Sequence, residues 1–260
     1  MRNIFYVILV LTSLSGIAQM DSAAVRTAPA FRKPLIWLID YNPWAMFIGA
    51  DVPYFTLYES GQVIYVKSHQ FRLAMLSATD VAAMVSDFQL SDTFFAHDRY
   101  IQTSEADDLH TRVLFVNLDT LKSFGIYGFY SDQLPQAFQH VFDKAGAFSD
   151  DRSKEWLPDK VEVMLTDYAH SPVTPVPWPE GWPDLHSPDS RHWNGNGRIG
   201  GGRIYLPIKY FPKLQQLASK MKEKQALLIN GRKYSFGYRL VPPGVDSVAA
   251  TKPDHPTAVP

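Results

Sequence analysis

The chain of 260 residues contains no cysteine. Disulfides, thiolate zinc sites, a cysteine nucleophile and the lipid-modified cysteine of a bacterial lipoprotein are all excluded. An excess of charge of one sign is also lacking, since 25 Lys and Arg stand against 26 Asp and Glu for a net charge of -1. That balance supplies no global attraction to nucleic acid or to an anionic membrane, both of which require clustered basic surface. Catalytic signatures are missing as well: there is no G-x-S-x-G elbow, no H-E-x-x-H and no phosphate-binding G-x-x-x-x-G-K-[ST]. With 46% hydrophobic and 20% charged residues, the composition is that of a folded protein whose core can do without covalent staples.

The one apolar run stands at the N-terminus. Arg2 supplies a positive start, Ile4 to Leu11 an apolar stretch, and Gly16-Ile17-Ala18 small residues at a cleavage site, the pattern of an export signal over residues 1–18. The run is shorter than the roughly 20 residues that span a bilayer, so cleavage before Gln19 and release into the periplasm or the medium are expected, with no transmembrane segment remaining. Residues 19–34, with Pro29 and Pro34, read as a flexible leader.

From Leu35 the pattern is that of an α+β protein: antiparallel β-hairpins packed by amphipathic helices, followed by a smaller C-terminal α+β unit. Leu35 to Asp40 reads as a strand. Pro53 to Lys67 places aromatic and β-branched runs on either side of Glu59-Ser60-Gly61 and predicts a hairpin. Thr111 to Leu118 and Leu121 to Gly128 predict another over Asp119-Thr120, and Phe71 to Met75 a further strand. Ser77 to Asp80 fits a helix cap, after which Val81, Met84, Val85 and Phe88 share one helical face. A second helix begins after Ser131, with Pro135 in its first turn and Leu134, Phe138, Val141, Phe142 and Ala145 as its apolar stripe. These stripes are core positions. An N-terminal domain over 35–150 thus precedes a polar boundary at Ser149 to Asp159.

The C-terminal unit, 160–241, is expected to hold a strand from Lys160, a short strand at Arg203 to Leu206, a helix over Phe211 to Lys224, and a hairpin over Asn230-Gly231. The helix and its surroundings are basic, with Lys209, Lys213, Lys220, Lys222, Lys224, Arg232 and Lys233, a face suited either to solvent or to an acidic partner, an anionic glycan or a membrane surface. Pro242 to Pro260 reads as a loose tail over 242–260.

Within this unit the stretch 171–203 differs from everything around it. Prolines from Pro172 to Pro188 favour extended chain, and Gly195 to Gly202 favours turns. Gly195 to Gly200 matches G-x-G-x-x-G, but no buried strand precedes it and no helix follows, so tight turns and not a dinucleotide account for it. Trp178, Trp182 and Trp193 are candidate ligand-binding residues, flat platforms for a glycan or a partner's side chains; the competing role is to anchor the loop on the sheet. Asp184, His186, Asp189 and His192 carry enough ligand chemistry for a Zn²⁺-like ion if the loop folds back on itself, and otherwise are solvated loop residues. His97-Asp98 and Asp107-Asp108 are explained as turn residues.

Pro53 to Tyr65 (PYFTLYESGQVIY), followed by a capped helix and a second hairpin, resembles domains of unknown function in exported bacterial proteins, and a signal ending in Ala18-Gln19 is similar to those of Bacteroidota. The resemblance spans Leu35 to Phe148 and implies an exported bacterial origin without implying an activity. The expected function is a non-catalytic binding or interaction module for a glycan or an envelope protein, with no catalytic residues, no cofactor and no nucleic-acid partner. Two alternatives stand beside it, a metal-assisted hydrolase using the 184–192 loop and a structural envelope protein.

Overall fold

In Pro34–Tyr41 (β1) successive residues Ile36, Trp37, Leu38 and Ile39 are all fully buried. Side chains alternate across a strand, so β1 must be covered on both faces. The structure, a computed structural model, describes residues 30–45, 50–128, 133–193 and 200–245, apart from the side chain of Trp193. The signal expected at 1–18, most of the expected leader, the segment 194–199 and residues 246–260 lie outside the described residues.

The hairpin of Phe55–Tyr58 (β2) and Gln62–Lys67 (β3) forms as the turn chemistry requires. Gly61 adopts φ +86°, and a Cβ there would run into the carbonyl oxygen of Leu76. Gln70–Met75 (β4) extends the meander, and Ser77 then caps Ala78–Asp87 (α1): its hydroxyl accepts from Asp80 N at 3.1 Å while the Asp80 carboxylate accepts from Ser77 N, a capping box. A short helix Asp92–Phe95 (α2) and a strand Tyr100–Gln102 (β5), neither evident from the sequence pattern, lead to Thr111–Val116 (β6) and Lys122–Tyr127 (β7). Gln136–Gly146 (α3) starts one residue after Pro135, which stands at its N-cap, and Lys154–Glu155 (β8) closes the edge.

The first sheet runs β5-β7-β6-β1-β2-β3-β4-β8, antiparallel except at β5 and β7. One face, with Ile36, Leu38, Phe55, Leu57, Val63 and Leu114, packs under α1 and α3 through Phe88, Phe138, Val141 and Phe142. The other face holds Trp37 stacked on Phe115 at 4.9 Å, together with Tyr58 and Ile64 against Trp156 and Phe31.

The second sheet is built from Lys160–Asp167 (β9), Val173–Pro177 (β10), Arg191–Trp193 (β11), Gly201–Pro207 (β12), Gln225–Ile229 (β13) and Arg232–Arg239 (β14), in the order β10-β13-β14-β9-β12-β11. The helix Phe211–Lys220 (α4) covers one face, where Val161, Val163, Leu165, Ile204, Leu206 and Leu227 meet Leu214. It ends four residues before Lys224. The architecture is therefore β-rich α+β, two mixed sheets with four helices among the described residues.

The described residues from Phe31 to Val245 belong to one compact unit. Packing does not stop at Pro242: Val245 is fully buried with Trp37, Ile39, Val113 and Phe115, and the Tyr58 hydroxyl donates to the carbonyl of Pro243 at 2.9 Å. Residues 243–245 thus return onto the first sheet.

Candidate functional site

The proline stretch begins as an edge strand. β10 pairs in parallel with β13 on one side only, where Pro175 and Pro177, which lack N–H groups, are tolerated. Beyond it, Trp178 and Trp182 meet edge-to-face at 5.3 Å, Trp182 lies 5.2 Å from the Tyr210 ring, and Trp178 Nε1 donates to the carbonyl of Pro183 at 2.9 Å. Both indoles are half-buried against the core under α4. Of the two roles open to them, anchoring is the one this packing describes. Trp193 is placed only by its backbone, on β11 opposite Gly201.

The four candidate metal ligands are drawn to different partners. Asp184 and His186 gather on Asn230, whose Nδ2 lies 2.7 Å from Asp184 Oδ2 and 3.1 Å from His186 Nδ1. That hydrogen bond, with help from the His186 backbone N–H, holds the Asp184 carboxyl below the usual carboxylate range. Asp189 pairs with Lys160 Nζ at 2.6 Å, and His192 is exposed on β11 opposite Gly202. Among the described residues no group of three or more His, Asp or Glu is placed to hold a metal ion. The loop is a hydrogen-bonded clamp on the β13–β14 turn.

A denser assembly of functional groups lies at the end of the first sheet, where β1 finishes and β6 begins. The antiparallel register sets Asp40 opposite Arg112. His110 Nδ1 lies 2.8 Å from Asp40 Oδ1, and Arg112 Nε reaches Asp40 Oδ2 at 3.4 Å. In the loop after β1, Asn42 N donates to Asp51 Oδ1 at 3.4 Å, and Asn42 Oδ1 accepts from Trp44 N at 2.9 Å. Trp44 Nε1 in turn donates to the carbonyl of Asp108 at 3.1 Å, and the ring is 72% exposed. Its edge is tethered while its area stays in solvent.

Burial leads the perturbations here. It pushes the Tyr41 hydroxyl up to about 12, with the Asp51 charge adding to it and Arg239 opposing, and it raises the carboxyl of Asp51 and the hydroxyl of Tyr54. Behind the rim, Glu162 on β9 is 2% exposed and takes both oxygens to Arg239 Nη2, at 3.1 and 2.9 Å, with Arg203 Nε at 3.1 Å. Arg239 Nη1 also points to the Asp51 carbonyl at 3.5 Å, so the second sheet supports the loop that carries Trp44. No Ser or Thr hydroxyl is bonded to His110 among the described residues.

The sequence pattern missed this rim. Tyr41 to Asp51 suggests a packed connection, yet Trp44 faces solvent; only strand register brings Asp40, His110 and Arg112 together across some 70 residues of chain. Concavities also mark the surface formed by the described residues. One of 390 Å³ lies between the layers, walled by Phe71, Trp156, Phe211 and Tyr238 with Arg239, and one of 560 Å³ lies beside the end of α4. No family model matches the chain, and neither a curated protein nor a solved structure matches it.

Proposed function

We propose that the chain is an exported, non-catalytic binding module of bacterial origin whose ligand is a glycan, with the antiparallel hairpins and their amphipathic helices acting as a rigid frame for the Trp44 rim. One observation carries this reading: a tryptophan 72% exposed and tied by its indole N–H, beside Asp40, His110 and Arg112. A sugar ring presents an apolar face of C–H groups and a rim of hydroxyls that both donate and accept. An exposed indole matches the face, while a carboxylate and the His and Arg donors match the hydroxyls. Because the ring is already tethered, little side-chain freedom is lost on binding.

In this reading residues 1–18 are an export signal and the module works in the periplasm or outside the cell, where glycans are abundant ligands. In this reading Trp178 and Trp182 hold the 171–203 loop and do not contact the sugar. A glycan array probed with residues 19–260 and with the Trp44→Ala variant tests it. Capture of a saccharide class by the parent, lost in Trp44→Ala and retained in Trp182→Phe, is the expected result. Capture that survives Trp44→Ala, or no capture of any saccharide, would overturn it.

A further inference from the structure

Beyond Tyr234 the long strand β14 is paired on one side only. Towards β9 its register is continuous from Tyr234 to Arg239. Towards β13 the pairs end at Leu227 with Tyr234, and the next N–H in line, that of Gln225, donates instead to the carbonyl of Lys222 at 3.1 Å. The geometry of the turn fixes which groups are left over. Asn230 and Gly231 both take positive φ, +50° and +79°, the signature of a two-residue type I′ hairpin. Such a turn makes Ile229 and Arg232 a hydrogen-bonded pair, so alternate residues Arg232, Tyr234, Phe236 and Tyr238 direct N–H and C=O towards the β13 side. Lys233 obeys the same parity, its carbonyl accepting from Tyr168 N at 2.9 Å on the opposite side. Phe236 and Tyr238 therefore present main-chain groups to an edge that no strand covers among the described residues.

That edge opens into the 560 Å³ groove. Its walls are Ser235 to Tyr238 on one side and Met221 to Gln225 on the other, with Ala218 and Tyr168 at the ends. The groove exists because α4 ends at Lys220 and Met221 is extended, with φ −71° and ψ 139°, so the helix leaves this part of the sheet uncovered. Phe236, Tyr238 and Met221 make it apolar. Lys222 and Lys224 rim it together with Glu223, which is 89% exposed and 3.8 Å from Lys224 Nζ. Between Lys209 and Lys233 Glu223 is the sole acid, against Lys209, Lys213, Lys220, Lys222, Lys224, Arg232 and Lys233.

We infer that this groove receives an extended, acidic peptide segment of a partner protein, which adds as a strand along Phe236 and Tyr238 of β14. Main-chain hydrogen bonds supply the affinity in this mode of recognition, and alternate side chains the specificity. Apolar residues of the segment sit on Phe236, Tyr238 and Met221; carboxylates meet Lys222 and Lys224. None of the residues of the Trp44 rim takes part, so the two surfaces can act together or separately.

The test uses a fluorescein-labelled heptapeptide of alternating Glu and Val, read by anisotropy and by amide hydrogen exchange of residues 19–260. The peptide is expected to bind, to slow exchange of the Phe236 and Tyr238 amides at least tenfold, and to lose binding when N-methylated throughout. The Lys222→Glu/Lys224→Glu protein, with unchanged melting, is expected to bind at least tenfold more weakly. Absence of binding, or binding that leaves those two amides exchanging as before, overturns the inference. So does slow exchange of both amides in the free protein: dependence on protein concentration would then assign the edge to a second copy, and independence to the chain's own residues. Glycan capture at Trp44 is read separately, so failure of either proposal leaves the other standing.

Discussion

Two residues behind the Trp44 rim dominate its energetics in opposite ways. Glu162 is buried with Arg239, itself only 6% exposed, and bonds it through both carboxylate oxygens. Removing one member of such a pair leaves the other charge buried and uncompensated, which costs about 3–5 kcal/mol. Glu162→Ala is expected to lose that much in urea unfolding, whereas Arg203→Ala, whose side chain is partly exposed, loses far less. Asp51 works the other way. Burial raises its carboxyl above the ordinary carboxylate value of 3.8, with Asp40 adding to the rise and hydrogen bonds from backbone N–H groups opposing it. A raised folded-state value means the native protein holds the proton more tightly than the unfolded chain does. The associated stability is complete below the ordinary value and is lost as pH rises through the folded one. Asp51→Asn is expected to flatten the melting temperature across that interval, measured by calorimetry from pH 3 upward; an unchanged pH dependence would remove Asp51 from the account.

Elements were legible where local chemistry dictates them. The Ser77 capping box, the β2–β3 hairpin and the Asn230-Gly231 turn each follow from residues that are neighbours in sequence. Gly61 tests this directly. Its φ of +86° is strained for any other residue, and an added Cβ meets the backbone of Leu76, which cannot swing away as a side chain can. Gly61→Ala is expected to destabilise by about 1–3 kcal/mol, seen as a lower urea midpoint at unchanged slope. Elements that depend on remote partners were hidden. The segment Val173–Pro177 becomes a strand only because β13 offers it an edge, and β5, β8 and β11 are two or three residues long, too short to show a period. The helix α4 stops at Lys220 although its basic, polar continuation gives no stop signal before Lys224.

Across the whole molecule, what the sequence could not show is where the two halves meet. Val245 fills the first sheet's second face from the far end of the chain, and Arg239 of the second sheet reaches the loop that carries Trp44. These contacts join positions some 130 to 210 residues apart, and no local pattern encodes them. The Trp44 rim was obscured for the same reason: Asp40, His110 and Arg112 form a cluster only once β1 and β6 pair. Of the 171–203 stretch, conspicuous by composition, residues 178–185 are held down by Trp178, Trp182 and Asn230. In the proposed function this assembled rim binds sugar. Isothermal titration of residues 19–260 with the saccharide class captured on the array tests it most directly, run in parallel on Trp44→Ala with matched melting temperature. Saturable heat in the parent, with affinity at least tenfold weaker in the variant, is the expected result; equal affinity in both proteins would contradict it.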